Sequence, residues 1–199
     1  MTKISISAGN RKMGAIRSFS LPPVVTCPKG CPCAGKCYAA KMCRIYPSVR
    51  AAYQRNLEAL EADMDAVMDE LDMELKTNRY FRFHVSGDFY SAGYFAAAVD
   101  VIRKNPGCEV LAFTKQFDIA NTWIRENGPL PVNFKLIFSQ WGDMAVNNPY
   151  GLPESAVIFK GCSPADDWKV CPGNCFECAC RGTGCWTLND GETIAFYEH

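Results

Sequence analysis

The sequence predicts an α/β fold, an incomplete parallel (βα) barrel with a cysteine-rich N-terminal loop before it and a cysteine-rich, cluster-binding C-terminal tail after it. Three observations carry that expectation. Short β-rich runs alternate with helical patterns through the middle of the chain, polar residues fall at the carboxyl ends of those runs, and eleven of the twelve cysteines lie outside the alternating region. Alternation of this kind builds βαβ units and a parallel sheet. A chain of 199 residues is short for a complete eight-unit barrel, which takes about 250.

In chain order, the apolar-polar alternation of Ile4 to Ser7 reads as a strand, and Pro22-Pro23-Val24-Val25 as an extended lead into the first cysteine loop. That loop, TCPKGCPCAGKCYAAKMC, carries the glycines and prolines that let a backbone curl around a ligand. Ser48 to Lys76 reads as a helix, with Leu57, Leu60, Met64, Val67, Met68, Leu71 and Leu75 on one face and acids between them. YFRFHVS (80–86), CEVLAFTK (108–115) and NFKLIFSQW (133–141) are the strands, and Ser91 to Arg103 and Phe117 to Glu126 the helices between them. Asn147 to Pro153 is a turn-rich linker. The expected division is therefore a core over 1–150 and a cysteine-rich metal-binding tail over 151–199.

Composition narrows the function. A hydrophobic content of 48% suits a chain with a real core. Lys plus Arg and Asp plus Glu each number 21, so net charge does not indicate nucleic acid, although a local basic patch stays open. No signal-peptide core and no membrane-length apolar run is present, so a cytoplasmic location without membrane contact is expected. In that reducing compartment twelve cysteines point to metal ligation rather than disulfides.

Cys171-Pro-Gly-Asn-Cys175-Phe-Glu-Cys178, followed by Cys180 and Cys185-Trp186, is the most specific signal. Cys171, Cys175, Cys178 and Cys185 can converge on one site if the chain wraps it, and four thiolates suit zinc and a [4Fe–4S] cluster alike. At the other end, Cys27, Cys31, Cys33 and Cys37 allow several groupings. The set Cys27, Cys33 and Cys37 leaves one iron open, as chemistry requires, whereas a structural zinc knuckle would close every position. The roles of Cys31, Cys43, Cys162 and Cys180 stay open, and Cys108 reads as a small buried hydrophobe.

The strand ends read Ser86-Gly87-Asp88, Thr114-Lys115 and Ser139-Gln140-Trp141, polar where core positions would be apolar. Ends of parallel strands share one rim, so a ligand there reaches them all. Asp88 is alternatively a helix N-cap, in competition with Ser91. His84 is either a core histidine or a partner of Lys115 toward an anionic substrate.

ISAGNRKMGAIRSFSLPPVVTC, CAGKCYAAK, VSGDF, LAFTK and CPGNCFECACRGTGCW resemble a phage and gut-bacterial family labelled gene product 88, over nearly the whole chain. That family is itself similar to radical S-adenosylmethionine proteins in its order of cysteine loop, helix, and strand ending in a small-small-acid motif. The resemblance implies a protein with one or two [4Fe–4S] clusters, with Ser86-Gly87-Asp88 in the place of the Gly-Gly-Glu that binds the methionyl amine. The spacing of the cysteine loop departs from the C-x3-C-x2-C of those enzymes. The tail is similar to their auxiliary-cluster domains. A radical enzyme would further need a small-molecule cofactor, S-adenosylmethionine, and a reductant protein, in the host cytoplasm if a phage encodes it. The competing expectation is a non-catalytic zinc- or cluster-stabilised module that binds a protein or nucleic acid.

Overall fold

The computed structural model describes residues 3–198. Eight strands form one sheet in the order β1-β2-β3-β4-β5-β6-β8-β7. They are β1 (Ile6–Ser7), β2 (Arg17–Phe19), β3 (Tyr80–Phe83), β4 (Glu109–Thr114), β5 (Phe134–Ser139), β6 (Glu154–Ile158), β7 (Lys169–Val170) and β8 (Thr193–Tyr197). β1 pairs antiparallel to β2, and every other ladder is parallel. The helices are α1 (Tyr38–Ile45), α2 (Pro47–Ala62), α3 (Met64–Thr77), α4 (Ala92–Lys104), α5 (Phe117–Asn127) and α6 (Cys175–Arg181).

The α/β class and the three central strands agree with the sequence reading, and the sheet is open: among the described residues no ladder joins β1 to β7. Strand side chains alternate between faces. Phe81 and Phe83, Val110 and Ala112, and Phe134, Leu136 and Phe138 bury one face against α2, α3, α4 and α5. Tyr80, Leu111, Phe113 and Ile137 bury the other against Met13, Ile16 and the tail residues Cys175, Cys178, Cys185, Trp186 and Leu188. α2 to α5 thus cover one face, and the cysteine-rich tail, with α6, covers its opposite. A fully buried leucine such as Leu71 or Leu188 contributes about 2 kcal/mol by leaving water.

Three sequence expectations are corrected. The helix expected over Ser48 to Lys76 is two, because Asp63 at φ −159°, ψ 88° leaves the helical region and its carboxylate accepts the Ala66 N–H to start α3. The first cysteine loop ends at Cys37: the rest of it is α1, which places Cys43 on a helix. The tail does not wrap as loop alone, since Cys175, Cys178 and Cys180 sit on α6. Spacing of three puts Cys175 and Cys178 on one buried face and leaves Cys180 exposed. β6 and β8, beyond residue 150, continue the sheet of the core.

Candidate functional site

The first cysteine loop is fastened to the loop after β3. Leu21 N donates to Ser86 O at 3.0 Å and Ser86 Oγ returns a bond to Leu21 O at 3.0 Å. Thr26 Oγ1 donates to Pro22 O at 2.8 Å and accepts from Asp88 N at 3.1 Å. Tyr38 Oη, at the start of α1, donates to Val85 O at 2.6 Å. Gly87 makes the approach possible: at φ 79°, a Cβ there would meet Thr26 Oγ1 at 2.6 Å and Leu21 O at 2.8 Å. Two non-glycine residues flank this junction in the left-handed region, Val24 at φ 69° and His84 at φ 58°. For a β-branched valine that conformation is a real strain. The Val24 backbone hydrogen-bonds to Cys27 and favours its thiolate, although burial still pushes the thiol up to about 11.

Asp88 is buried, and both its carboxylate oxygens accept hydrogen bonds. Oδ1 accepts from Thr114 Oγ1 at 2.6 Å and Phe89 N at 2.8 Å, and Oδ2 from Lys115 N at 2.8 Å. Burial raises its carboxyl above the ordinary range, and these three donors oppose that rise. The helix cap belongs to Ser91, whose Oγ accepts Tyr94 N at 3.2 Å, so Asp88 instead ties the end of β3 to the end of β4. Lys115 Nζ reaches Ser139 Oγ at 2.7 Å, which links the end of β4 to that of β5. His84 lies among Phe83, Phe89 and Tyr94, with Nε2 2.9 Å from Tyr94 Oη. Burial, with Arg82 nearby, drops its imidazole to about 3, so it is neutral at physiological pH.

Among the amino-terminal thiols, Cys31 Sγ and Cys33 Sγ lie 3.1 Å apart. Burial and the Cys31 and Cys37 sulfurs push Cys33 up to about 12, while Lys115 pulls it down. Cys37 likewise raises Cys27 and Cys43. In the tail, burial chiefly, and then Cys171, Cys175 and Cys178, push Cys185 up to about 12, while Arg82 opposes the rise. The four tail thiols expected to converge therefore lie within electrostatic reach of one another. Gly184, at φ 62°, keeps space beside Cys178, where a Cβ would come within 3.2 Å of its sulfur. Trp186 Nε1 donates to Cys175 O at 3.2 Å and its ring packs edge-on to Tyr80, 5.4 Å between centroids.

Both thiol groups open on one cavity of about 340 Å³. Cys27, Cys31, Cys33 and Cys37 line it together with Cys175 and Cys185, and with Ser86, Gly87, Asp88 and Lys115 at the strand ends. Cys171 and Cys178 are not part of its lining, and neither are Cys43, Cys108, Cys162 and Cys180. Among the described residues no three or more His, Cys, Asp or Glu side chains stand arranged to hold a metal ion. The sequence reading missed Arg82, which lines the cavity between the two groups. Its Nη1 is 3.8 Å from Cys175 Sγ and 3.3 Å from Met13 Sδ, and its guanidinium lies over Phe113 at 4.8 Å. An arginine between Phe81 and Phe83 in a central strand is a signal in itself, because alternation sends it to the face opposite the phenylalanines.

No helix among the described residues is long and apolar enough to cross a membrane. No solved structure matches the chain. The Gene 88 protein of Mycobacterium phage L5 is 33% identical over 121 residues, and that of Mycobacterium phage D29 is 31% identical over 121 residues. Each match takes in 54% of this chain, with 51% of the L5 protein and 50% of the D29 protein, so the chain spans about half the length of these relatives. The family model for Gene product 88 matches residues 2–187, and the chain therefore belongs to the Gene product 88 family.

Proposed function

We propose that this chain is an iron–sulfur protein of the radical S-adenosylmethionine kind, with Cys27, Cys33 and Cys37 at an open [4Fe–4S] site and Cys171, Cys175, Cys178 and Cys185 at a second, fully ligated one. The observation that supports the reading is the shared cavity, lined by the amino-terminal thiols, by Cys175 and Cys185 of the tail and by three strand ends. Coordination demands deprotonated thiols, and burial pushes Cys27 up to about 11 and Cys33 and Cys185 up to about 12, so without a bound cation these thiols stay protonated. A cubane spreads its cysteines over separate corners, whereas one tetrahedral zinc needs sulfurs about 3.8 Å apart. Zinc at the tail remains the alternative metal, in a non-catalytic module that binds a protein or nucleic acid.

Cys27, Cys33 and Cys37 would hold the open cluster, which would supply a binding position for S-adenosylmethionine and one-electron chemistry fed by a reductant protein. The protein's part is orientation. Asp88 Oδ2 accepts one bond and keeps a lone pair for an N–H of the cofactor's amine, while Lys115, already tied to Ser139, sets a positive charge on the same rim. The substrate is unassigned. A site built on reduced thiols belongs in a reducing compartment, the host cytoplasm for a phage-encoded chain.

Electron paramagnetic resonance of the reduced protein, with and without S-adenosylmethionine, tests the open site. The expected result is a shifted spectrum and release of 5′-deoxyadenosine and methionine. A spectrum unmoved by the cofactor, with neither product, would leave a closed cluster and a structural or electron-transfer role.

A further inference from the structure

The balanced net charge hides a division of the chain. Residues 1–50 hold nine of the twenty-one Lys and Arg and none of the twenty-one Asp and Glu. Two of the nine are neutralised by ion pairs, Arg17 with Glu74 and Lys36 with Glu198. Arg11, Lys29, Lys41, Arg44 and Arg50 are exposed and form no ion pair among the described residues. Lys29 lies two residues from Cys27 and from Cys31, and Lys41 and Arg44 share a face of α1, whose eight residues extend only about 12 Å from Cys37. The positive charge continues inward: Lys12, Lys36, Arg82 and Lys115 line the cavity, against the carboxylates of Asp88 and Glu198 alone. Of these carboxylates Glu198 is held by Lys36, and Asp88 is occupied by Thr114, Phe89 and Lys115.

We infer that the amino-terminal fifty residues, with the cavity they help to line, bind a single-stranded nucleic acid, with phosphates on Arg11, Lys29, Lys41, Arg44 and Arg50 and a base entering the cavity. A run of cations that no acid interrupts suits a polyanion with evenly spaced charges. The rings of Tyr38 and Trp141 are part of the cavity lining, and base–aromatic stacking is tolerant of sequence. Single strands are favoured over duplex because a cavity of about 340 Å³ admits a base only when it is outside a stack. The inference concerns binding and goes beyond the proposed function, and it stands or falls independently of whether the thiols hold iron.

The test is fluorescence anisotropy of the full-length chain with a labelled 20-nucleotide single-stranded RNA, the DNA of the same sequence, and the DNA duplex. The two single-strand arms tell which nucleic acid is preferred. Both single strands are expected to bind more tightly than the duplex, with affinity falling steeply as salt rises. The K29E/K41E/R44E variant, altered only at exposed positions, should lose at least about tenfold in affinity at low salt, and removal of three phosphate contacts should shallow the log–log salt slope by about 2. The E58K/D69K variant on the acidic α2–α3 surface should lose nothing. Iron content and circular dichroism, measured on the same samples, separate loss of binding from loss of the fold or of the cluster. No binding at 50 mM salt, an affinity unchanged in the triple variant, or equal competition by poly-L-glutamate, which would mark a surface for acidic proteins, overturns the inference.

Discussion

The two cysteine groups meet at one cavity but are built in opposite ways. The tail thiols of Cys175, Cys178 and Cys185 belong to a hydrophobic cluster with Trp186, Leu188 and Ile194. The loop thiols of Cys27, Cys33 and Cys37 are only half-buried, and their loop is held by hydrogen bonds to Ser86, Asp88 and Val85. Apolar packing around a site excludes competing ligands, which suits closed coordination, while a polar, partly open frame leaves room for a ligand to enter. The difference teaches that cysteines gathered by similar short spacings can stand in opposite surroundings, one apolar and closed, the other polar and partly open.

The largest expected effect is in the tail. If ligation there is part of folding, Cys178→Ala should lower stability by on the order of 5 kcal/mol. Cys108→Ala, also buried but remote from the cavity, should lose only about 1 kcal/mol. Urea unfolding of both variants makes the comparison, and equal losses would mean that the tail thiols are core filler. Next comes acid. His84 is depressed from 6.5 to about 3 by burial, so the unfolded chain binds its proton first. The stability contributed by neutral His84 is full above pH 6.5 and drains as pH falls toward 3, by about 2 kcal/mol at pH 5. In His84→Asn, which tolerates the left-handed backbone, stability should depend less on pH over that window; an unchanged pH dependence would show that His84 is not the group responsible.

Asp88→Asn sharpens the loop side. An amide nitrogen in place of Oδ2 would face the Lys115 N–H, a clash of donors that costs about 1–2 kcal/mol. Iron content should survive while any spectral response to S-adenosylmethionine weakens; loss of iron would make Asp88 a support of the cluster loop alone. The smallest effect is at Val24. Val24→Gly removes strain at φ 69° and should raise stability by at most about 1 kcal/mol after the entropy that glycine adds to the unfolded chain. A loss in the thermal melt would show that the exposed valine side chain makes contacts worth more than its strain.

The alternating middle of the chain was legible because its elements carry their own periods. The runs YFRF, EVLAFT and FKLIFS, and the helices after Ser91 and Gln116, lie within a few residues of where their patterns place them. β6 and β8 were not, since ESAVI and TIAFY lie beyond the strand–helix alternation and take their strand character from pairing with each other and, for β6, with β5. The break at Asp63 was hidden by an apolar stripe that continues from Leu60 to Met64 across it, although aspartate before an acidic first turn is a cap signal. At the site, residue types pointed to the strand ends, and Ser86, Gly87, Asp88 and Lys115 do share a rim. That Asp88 spends its oxygens on Thr114 and Lys115, 26 and 27 residues away, is a tertiary fact with no local signature. The same holds for Arg82 beside Cys175, 93 residues away.

One measurement bears most directly on the central reading, that the paired thiol groups hold iron–sulfur clusters: iron, zinc and acid-labile sulfide content, with an absorption spectrum, of protein purified without air. The account predicts iron and sulfide in nearly equal amounts and a broad visible absorption that dithionite bleaches. Colourless protein that carries stoichiometric zinc and no sulfide would contradict it.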